Sequence, residues 1–399
     1  MSEASETRLP EFLPFHRPYM GEEEIAEVVD TLKSGWLTMG PKTQKFEQKF
    51  AAAVGAEHAV AVSSCTAALH LILASLGIGP GDEVITSPYT FSATVATILF
   101  TGATPVLVDT LPEYPNIDPE GVRRAITPRT KAIVPVHFAG APCDLDRLTA
   151  LAVRCGAALI EDAAHALPAS YKGRVIGSSG SFGGVRHATA FSLYAGKNIT
   201  TGEGGVITTS DAGLVDSLRR KRLHGISRDA WKRYSAEGTW YYQVEELGFK
   251  YNMTDINAAI GLHQLDRLAD FHRKRLAIVA LYDELLADVP GVIRPRPPSD
   301  GDCSWHLYVI GIDAARVKLD RNEVIDALRA DNIGTSVHFI PIHHHSFYQQ
   351  RIGCKKEEFP HATHLYERAI SLPLFPTMQA DEVRAVTRSL NRILSGSLR

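Results

Sequence analysis

Seven short apolar runs between residues 59 and 209 constrain the fold of this chain more than any other feature. Each run is almost unbroken in its apolar character, as expected for strands of a mostly parallel sheet whose two faces are covered by helices. We predict strands at residues 59–62, 83–86, 105–108, 131–136, 157–161, 188–191 and 205–209. Because helical patterns separate these runs, the sequence predicts an α/β fold with an open, mostly parallel sheet.

The segment between the fourth and fifth runs shows why the connections are predicted to be helices. Asp144 stands where a helix could begin with a side-chain cap, and Gly156 stands where it could end. The apolar residues between them share one helix face: Leu145, Leu148, Leu151, Ala152 and Cys155. This pattern predicts a helix that packs one face on the sheet.

Beyond the seventh run the pattern changes. A helical pattern extends from about Asp255 to Ala287, which is too long for a typical helix without a bend, and we expect it to lead into a second unit. That unit is predicted to contain strands at residues 305–310 and 335–339 and helices near residues 322–330 and 379–394. We therefore expect a large α/β domain over residues 12–270 and a small α+β domain over residues 271–399.

Composition excludes several classes of protein. The 399 residues carry a net charge of −3, which gives no overall attraction to nucleic acid, and no apolar run is long enough to span a membrane. The five cysteines are scattered and include no CxxC pair, which disfavours a disulfide framework and favours a reducing compartment. The first ten residues do not resemble a signal peptide. We expect a cytoplasmic protein that binds neither nucleic acid nor membrane.

Two polar clusters suggest functions that we do not favour. The triplet His343 to His345 could suggest a metal site, but adjacent side chains point in different directions and no carboxylate spacing accompanies them, so we predict no metal. The basic run at residues 219–228 could suggest nucleic acid binding. A helix with a solvated basic face is the preferred interpretation, with a secondary role in meeting a substrate diphosphate.

Polar and ionisable residues follow three of the predicted strands, at the edge of an open α/β sheet where ligands bind. They are Ser63 to Thr66 after the first strand, Glu161, Asp162 and His165 after the fifth, and Lys197 after the sixth. Each group also has an ordinary structural explanation: a serine can cap a helix, a carboxylate can cap a helix or pair with a cation, and a lysine can be solvated.

Taken together, the three groups match what pyridoxal phosphate requires. A lysine amine can form a Schiff base with the aldehyde of this cofactor. A carboxylate can keep its pyridine nitrogen protonated, so that the ring accepts electrons from a substrate carbanion. The amino end of a helix that follows hydroxyl-bearing residues can hold its phosphate. The sequence therefore predicts pyridoxal 5′-phosphate as the cofactor.

Longer segments resemble the DegT/DnrJ/EryC1/StrS family of pyridoxal-phosphate-dependent sugar aminotransferases. The similarity extends from about residue 12 to the C-terminal SLPLFP. Its segments are SGWLTMGPKTQKFEQKFA, AVSSCTAALH, GDEVITSPYTFSAT, GATPVLVD, PVHFAGAPCDLD, IEDAAHA, FSLYAGKNITTGEGGVI and KYNMTDINAAIGLHQL. The resemblance implies the aspartate aminotransferase-like fold (fold type I), with a large domain built on a mostly parallel sheet and a small α+β C-terminal domain.

The resemblance also implies roles for particular residues. Lys197 is expected to be the Schiff-base lysine and the proton carrier, and Asp162 the partner of the pyridine nitrogen. Phe91 is expected to stack on the cofactor ring, and His165 is expected to lie near the ring and its phenolic oxygen. Expected phosphate contacts are Ser64, Cys65, Thr66 and Ser192, together with Asn252 from a neighbouring subunit. His338 and His343 are expected to approach the substrate sugar.

The implied activity is transfer of an amino group, with glutamate as the expected donor, to the keto carbon of a nucleotide-linked sugar. The implied assembly is a homodimer with a shared active site. The segments KRLHGISRDAWKR and GTSVHF…PIH resemble the branch of the family that makes UDP-4-amino-4-deoxy-L-arabinose for lipid A modification, which favours UDP and C4. The glycine-rich, basic segment SSGSFGGVRHATA departs from the family pattern and leaves the shape of the sugar pocket open.

Three alternatives to this activity stay open at this point. The first is a 3-keto-sugar aminotransferase, since the sequence alone does not fix the keto position. The second is a sugar dehydratase of the same family, but such members replace the lysine with histidine, and here Lys197 is present. The third is a cofactor-binding regulator, which the intact set of lysine, acid and phosphate-binding turn disfavours.

Overall fold

A computed structural model describes residues 9–180, 182–226, 241–298 and 300–399 of the chain. Three segments considered above therefore lie partly outside the described residues. These are the basic run at 219–228, the family-like segment at 221–233 and the glycine-rich segment at 178–190, which lacks Ser181.

A seven-stranded sheet forms the centre of the N-terminal part. Its strands are β1 (His58–Val62), β2 (Glu83–Thr86), β3 (Thr104–Leu107), β4 (Thr130–Val134), β5 (Ala158–Asp162), β8 (His187–Ser192) and β9 (Gly205–Thr209). Their order in the sheet is β1-β9-β8-β5-β4-β2-β3. Six of these strands run in the same direction, and β9 runs in the opposite direction. The predicted α/β class and the mostly parallel sheet are confirmed, and the seven predicted strands each lie within two residues of an observed one.

Helices cover both faces of this sheet. They are α1 (Glu22–Ser34), α2 (Pro41–Val54), α3 (Cys65–Ser75), α4 (Ser92–Phe100), α5 (Pro119–Ala125), α6 (Leu145–Cys155) and α7 (Ala212–Lys221). As predicted, Asp144 caps α6 by accepting a hydrogen bond from the backbone N–H of Arg147, and Gly156 ends the helix in the left-handed conformation. Two buried apolar clusters, one on each face, fix the sheet between the helices.

One continuous helix, α8 (Asp255–Leu285), joins the sheet to the C-terminal part. Its first half packs on α1 and α2, and its second half contributes Ile278, Val279 and Tyr282 to a separate C-terminal core. The predicted domain boundary at residue 270 therefore lies inside a single helix, and the division into two domains stays a prediction.

The C-terminal core packs around a three-stranded antiparallel sheet. This sheet contains β10 (Val292–Ile293), β12 (Tyr308–Ile312) and β13 (Ala369–Leu372). The helices of the C-terminal part are α9 (Arg321–Ala330), α10 (Ser346–Ile352), α11 (Pro360–Arg368) and α12 (Ala380–Ser395). A second small sheet joins β6 (Ser170–Tyr171), β7 (Arg174–Val175) and β11 (Gly301–Asp302). The N-terminal segment also belongs here, because Leu13 lies in this core and pairs with Ile333.

Two strand predictions in the C-terminal part need correction. The strand expected at residues 305–310 begins only at Tyr308, because Trp305 has a left-handed backbone (φ 50°) that a strand does not accommodate. The strand expected at 335–339 is reduced to a single bridge between Ser336 and Ser371, after which the chain leaves the sheet for a short 3₁₀ turn at Ile342–His344.

The described residues also bear on membrane crossing and on metal binding. None of the helices described here combines the length and the apolar character that crossing a bilayer requires. Across the described parts of the chain, no group of three or more His, Cys, Asp or Glu side chains is arranged so that it could hold a metal ion.

Candidate active site

The carboxyl ends of β1, β5 and β8 bring the predicted groups together at one edge of the sheet. Lys197 lies in the turn between β8 and β9, where its backbone N–H donates to the carbonyl of Tyr194 (2.9 Å). Burial lowers the pKa of the Lys197 amine to about 8, and the nearby Cys65 and Asp162 partly oppose this shift. An amine with such a pKa is partly neutral at pH 7 to 8 and can act as a nucleophile or base.

Asp162 is the last residue of β5 and is only 5% exposed. Its carboxylate accepts hydrogen bonds from the Thr94 hydroxyl (2.8 Å) and from the backbone N–H of Ala164 (3.2 Å). Burial raises the pKa of Asp162, while Thr94, the Ala164 N–H and the charge of Lys197 act in the opposite direction. A protonated ring nitrogen placed here would stabilise the ionised form of this carboxylate.

Glu161 precedes Asp162 on β5, and its side chain therefore points to the other face of the sheet. Its carboxylate accepts hydrogen bonds from the Nε2 atoms of His137 (2.7 Å) and His187 (2.5 Å) and from the Thr189 hydroxyl (3.1 Å). Burial acts to raise the pKa of Glu161, but the two histidines hold it well below its ordinary value. Asp162 is therefore the acid that lies within electrostatic reach of Lys197. Glu161 instead links β5 through hydrogen bonds to buried residues of the core.

The phosphate-binding turn lies between β1 and α3. The Ser64 hydroxyl caps α3 by accepting from the backbone N–H of Ala67 (3.0 Å), so the capping explanation holds for this serine. Cys65 and Thr66 open the helix, where free backbone N–H groups and the helix dipole attract an anion. A Cβ on Gly205 would lie 2.5 Å from the Ser64 carbonyl carbon, so only glycine lets β9 approach this turn so closely.

The predicted ring contacts lie beside Phe339. The His165 ring stacks on Phe339 (centroids 5.6 Å apart, planes at 25°), and Phe91 lies 5.9 Å from the same ring. Phe91 is 61% exposed and can offer a free aromatic face. Because the backbone N–H of Ala139 donates to Nδ1 of His165 (3.2 Å), the neutral imidazole carries its proton on Nε2.

Two other predicted phosphate contacts are half-buried. Ser192 is the last residue of β8, and its hydroxyl accepts a weak hydrogen bond from the backbone N–H of Tyr194 (3.4 Å). Asn252 pairs through its backbone with Val62 at the end of β1, and its side-chain amide donates to the Met253 carbonyl (3.3 Å). Asn252 does not cap α8, because Thr254 does so by accepting from the Asn257 N–H. Its contact with a partner subunit stays a prediction.

The two predicted substrate histidines lie in different surroundings. His338 bonds through Nδ1 to the Ser371 hydroxyl (2.9 Å), and burial together with the charge of Lys197 lowers its pKa to about 4. His343 has no exposed surface; its Nε2 bonds to the Thr363 hydroxyl (2.9 Å), and its Nδ1 has no hydrogen-bond partner within the described chain. In this conformation His343 offers no surface to a substrate.

Sequence reasoning missed two histidines that lie within electrostatic reach of Lys197. Burial lowers the pKa of His16 to about 4 and that of His306 well below its ordinary value, and the charge of Lys197 adds to both shifts. Asn198 fixes His306: its amide donates to two backbone carbonyls, so its oxygen must accept from Nδ1 of His306 (3.3 Å). The neutral His306 ring therefore keeps a lone pair on Nε2. No local pattern in the sequence marks either histidine, because both reach Lys197 from distant segments.

These residues fit pyridoxal phosphate. A buried carboxylate with a raised pKa meets the need for a partner to the ring nitrogen, and the partly neutral amine of Lys197 meets the need for a nucleophile. Gly205 lets β9 pack closely against the turn that opens α3, and a Cβ at this position would displace the backbone of Ser64 and Cys65, whose helix start can bind a phosphate. The predicted groups and this cofactor therefore agree in charge, burial and position.

Comparisons with known proteins agree with this site. A model of the DegT/DnrJ/EryC1/StrS aminotransferase family matches residues 18–391. The spore coat polysaccharide biosynthesis protein SpsC of Bacillus subtilis is 53% identical over 387 residues, which are 97% of this chain and 98% of SpsC.

Solved structures show the same relationship. Structures of Spr1654 from Streptococcus pneumoniae have been solved in a PLP form and a PMP form. The PMP form is 34% identical in sequence to this chain and superposes with a TM-score of 0.88, and the match covers 96% of this chain and 98% of the Spr1654 chain. The sugar aminotransferase CalS13 from Micromonospora echinospora is 30% identical in sequence and has a TM-score of 0.83, and the match covers 95% of this chain and 99% of the CalS13 chain. The predicted family, fold type and cofactor are thus confirmed: the chain belongs to the DegT/DnrJ/EryC1/StrS aminotransferase family and uses pyridoxal phosphate as its cofactor.

Proposed function

We propose that this sugar aminotransferase moves an amino group from glutamate to the keto carbon, at C4, of a nucleotide-linked sugar. The observation that supports amino transfer is that Lys197, whose pKa is about 8, and Asp162 both lie buried at the same sheet edge, within electrostatic reach of each other. When bound, the cofactor supplies an electron sink that stabilises negative charge on the substrate carbon. The residues around it bind, orient and move protons.

Lys197 is the proton carrier in both halves of the proposed reaction. In the first half it removes the proton from Cα of the amino acid, and in the second it delivers a proton to the sugar carbon that receives the amine. Its lowered pKa supports both roles, because neither the neutral nor the charged amine is strongly favoured near pH 8. Asp162 keeps the ring nitrogen protonated throughout.

The surroundings of Lys197 suit a substrate rich in hydroxyl groups. His16, His165, His306 and His338 all have lowered pKa values and are neutral at pH 7. A neutral imidazole offers one donor and one acceptor, which matches a sugar hydroxyl. The free lone pair on Nε2 of His306 is the best-defined acceptor among them. We assign His338 to the sugar pocket on this basis.

Assembly and location complete the proposal. We infer a homodimer in which Asn252 of one subunit contacts the phosphate in the other. We also infer a cytoplasmic enzyme of amino-sugar biosynthesis for cell-surface polysaccharide or lipopolysaccharide. All five cysteines are free thiols, which fits a reducing compartment. The polysaccharide role that the name of SpsC records is in keeping with this assignment.

Two experiments test the activity. Incubation of the cofactor-loaded enzyme with glutamate alone should consume its yellow absorption band in one turnover, and addition of a UDP-4-ketosugar should restore the band. A regulator would bind the cofactor and leave the band unchanged. A 3-ketosugar that restores the band faster than the 4-ketosugar would instead favour the alternative keto position.

A further inference from the structure

A second cavity, of about 450 Å³, opens between the parallel sheet and the C-terminal core. Buried apolar and aromatic side chains form its floor, among them Tyr89, Phe138, Leu307 and Ile310. None of the predicted cofactor or substrate residues lines it. We call it the arginine cavity, for the residues at its rim, and it is separate from the site around Lys197.

Four arginines and two acids form the charged rim of the arginine cavity, which gives it a net charge of +2. These residues are Arg294, Arg296, Arg316, Arg368, Glu113 and Asp313. Two of the arginines already have partners: Arg316 lies 3.6 Å from Asp313, and Arg294 donates to the backbone carbonyl of Asp283 (2.7 Å). A backbone carbonyl does not neutralise the charge of Arg294, but Arg296 and Arg368 are the two rim arginines that make no hydrogen bond or ion pair within the described residues.

Arg368 is the better placed of these two cations. It is half-buried at the end of α11. The aliphatic part of its side chain passes over Gly311, since a Cβ added to Gly311 would lie 3.3 Å from the Cδ atom of Arg368. Within the described parts of the chain its guanidinium makes no hydrogen bond or ion pair. Burial lowers its pKa, although Asp313 and Glu113 oppose this from a distance, and arginine stays charged at neutral pH. A half-buried guanidinium whose N–H groups make no hydrogen bond favours binding of an anion.

The wall that faces the sheet has an unusual backbone. Ala139 (φ 56°) and Trp305 (φ 50°) both line the cavity in the left-handed conformation, which residues other than glycine seldom adopt. The Ala139 N–H donates to His165, and the Ala139 carbonyl accepts from the His306 N–H (2.9 Å). Such conformations are held in place at ligand sites more often than elsewhere. This wall thus connects the cavity to the histidines of the candidate active site.

We propose that the arginine cavity binds a mononucleotide, with its phosphate on Arg368 and its base against the aromatic floor. The volume is in the range of small-molecule sites. A planar guanidinium fork matches phosphate oxygens, and a net charge of +2 complements a phosphate monoester better than a single carboxylate. Tyr114 and Trp305 line the same cavity and offer rings on which a planar base can pack. The proposal does not depend on the sugar substrate.

Calorimetry on the cofactor-loaded enzyme tests the proposal, with AMP, GMP, CMP and UMP as ligands and the matching nucleosides and inorganic phosphate as controls. At least one mononucleotide should bind once per chain, more tightly than its nucleoside or phosphate. Arg368→Gln should weaken this binding at least tenfold. Ile293→Trp, at an exposed lining position, should weaken it similarly by filling the cavity mouth. Arg351→Gln, an exposed arginine elsewhere, should leave it unchanged.

Three outcomes would overturn the proposal. The first is that none of the four mononucleotides binds. The second is that binding survives both Arg368→Gln and Ile293→Trp, which would place the nucleotide at another site. The third is that inorganic phosphate binds as tightly as the nucleotide, which would leave the aromatic floor without a role.

Discussion

Replacement of Asp162 by asparagine separates the electrostatic role of this residue from its structural role. The amide has the same shape and keeps an oxygen that can accept from Thr94 or Ala164. What is lost is the charge that stabilises a proton on the ring nitrogen. A charge-assisted hydrogen bond is worth about 1.5–3 kcal/mol, so we expect the half-reaction with glutamate to slow by roughly 10- to 150-fold.

The same substitution should change stability in opposite directions with and without the cofactor. In the cofactor-free protein burial raises the pKa of Asp162, so the ionised carboxylate destabilises the fold at neutral pH. Asp162→Asn should therefore raise the Tm of the cofactor-free protein. With the cofactor bound, the charge has a partner, so the increase in Tm on cofactor binding should be smaller in the variant than in the native enzyme.

Single-turnover absorbance with glutamate and thermal unfolding of both forms measure these effects. Thr94→Val is the matched control: it removes one hydrogen bond to Asp162 but keeps the charge, so its rate at pH 8 should stay closer to the native rate. The reasoning would be refuted if Asp162→Asn reacted within threefold of the native rate while binding the cofactor more weakly. Asp162 would then serve only to hold the fold.

Four further predictions follow from other residues. Lys197→Ala should still bind the cofactor through its phosphate but lose transamination by several orders of magnitude, and borohydride should attach the cofactor of the native enzyme to Lys197 and to no other lysine on peptide mapping. Gly205→Ala should weaken cofactor affinity in a titration, because its Cβ meets the phosphate-binding turn, whereas Gly213→Ala, where the nearest atom is 3.4 Å away, should not. Mixing inactive Asn252→Ala and Lys197→Ala subunits should restore up to half of the normal activity if Asn252 serves the partner's site; no recovery despite proven subunit exchange would contradict a shared site. Glu161→Gln should lower the free energy of unfolding at pH 7 by about 1.5–3 kcal/mol; because the folded-state pKa of Glu161 is depressed, this difference from native should shrink as pH falls below about 4.5, and a difference independent of pH would be unexpected.

Local patterns in the sequence predicted the sheet and its edge well. Nearly continuous apolar runs identify buried parallel strands because both faces of such a sheet are covered. Asp162 directly follows one of the predicted runs, and Lys197 lies six residues after the end of another. The start of α6 at the Asp144 cap and its end at Gly156 were equally predictable, since both depend on residues adjacent in sequence.

Features that depend on distant contacts could not be predicted in the same way. His16 and His306 reach the neighbourhood of Lys197 from segments far away in the sequence, and no local pattern marks them. Thr94 lies within an apolar helix, and its bond to Asp162 appears only once the fold brings the start of α4 close to the end of β5. The left-handed Trp305 delays a strand that its apolar sequence favours, because tertiary contacts override local preference.

The pairing of Leu13 with Ile333 has a consequence for how the enzyme is made in the cell. The seven strands of the large sheet all lie before residue 210, so this sheet can form on the ribosome while synthesis of the later residues continues. The segment that carries His16 is held next to residue 333, and His338 follows a few residues later. A nascent chain can therefore contain Lys197 and Asp162 long before the segment from Leu13 to His16 has a place to dock. The complete site can form only after residues 333 to 338 have been translated.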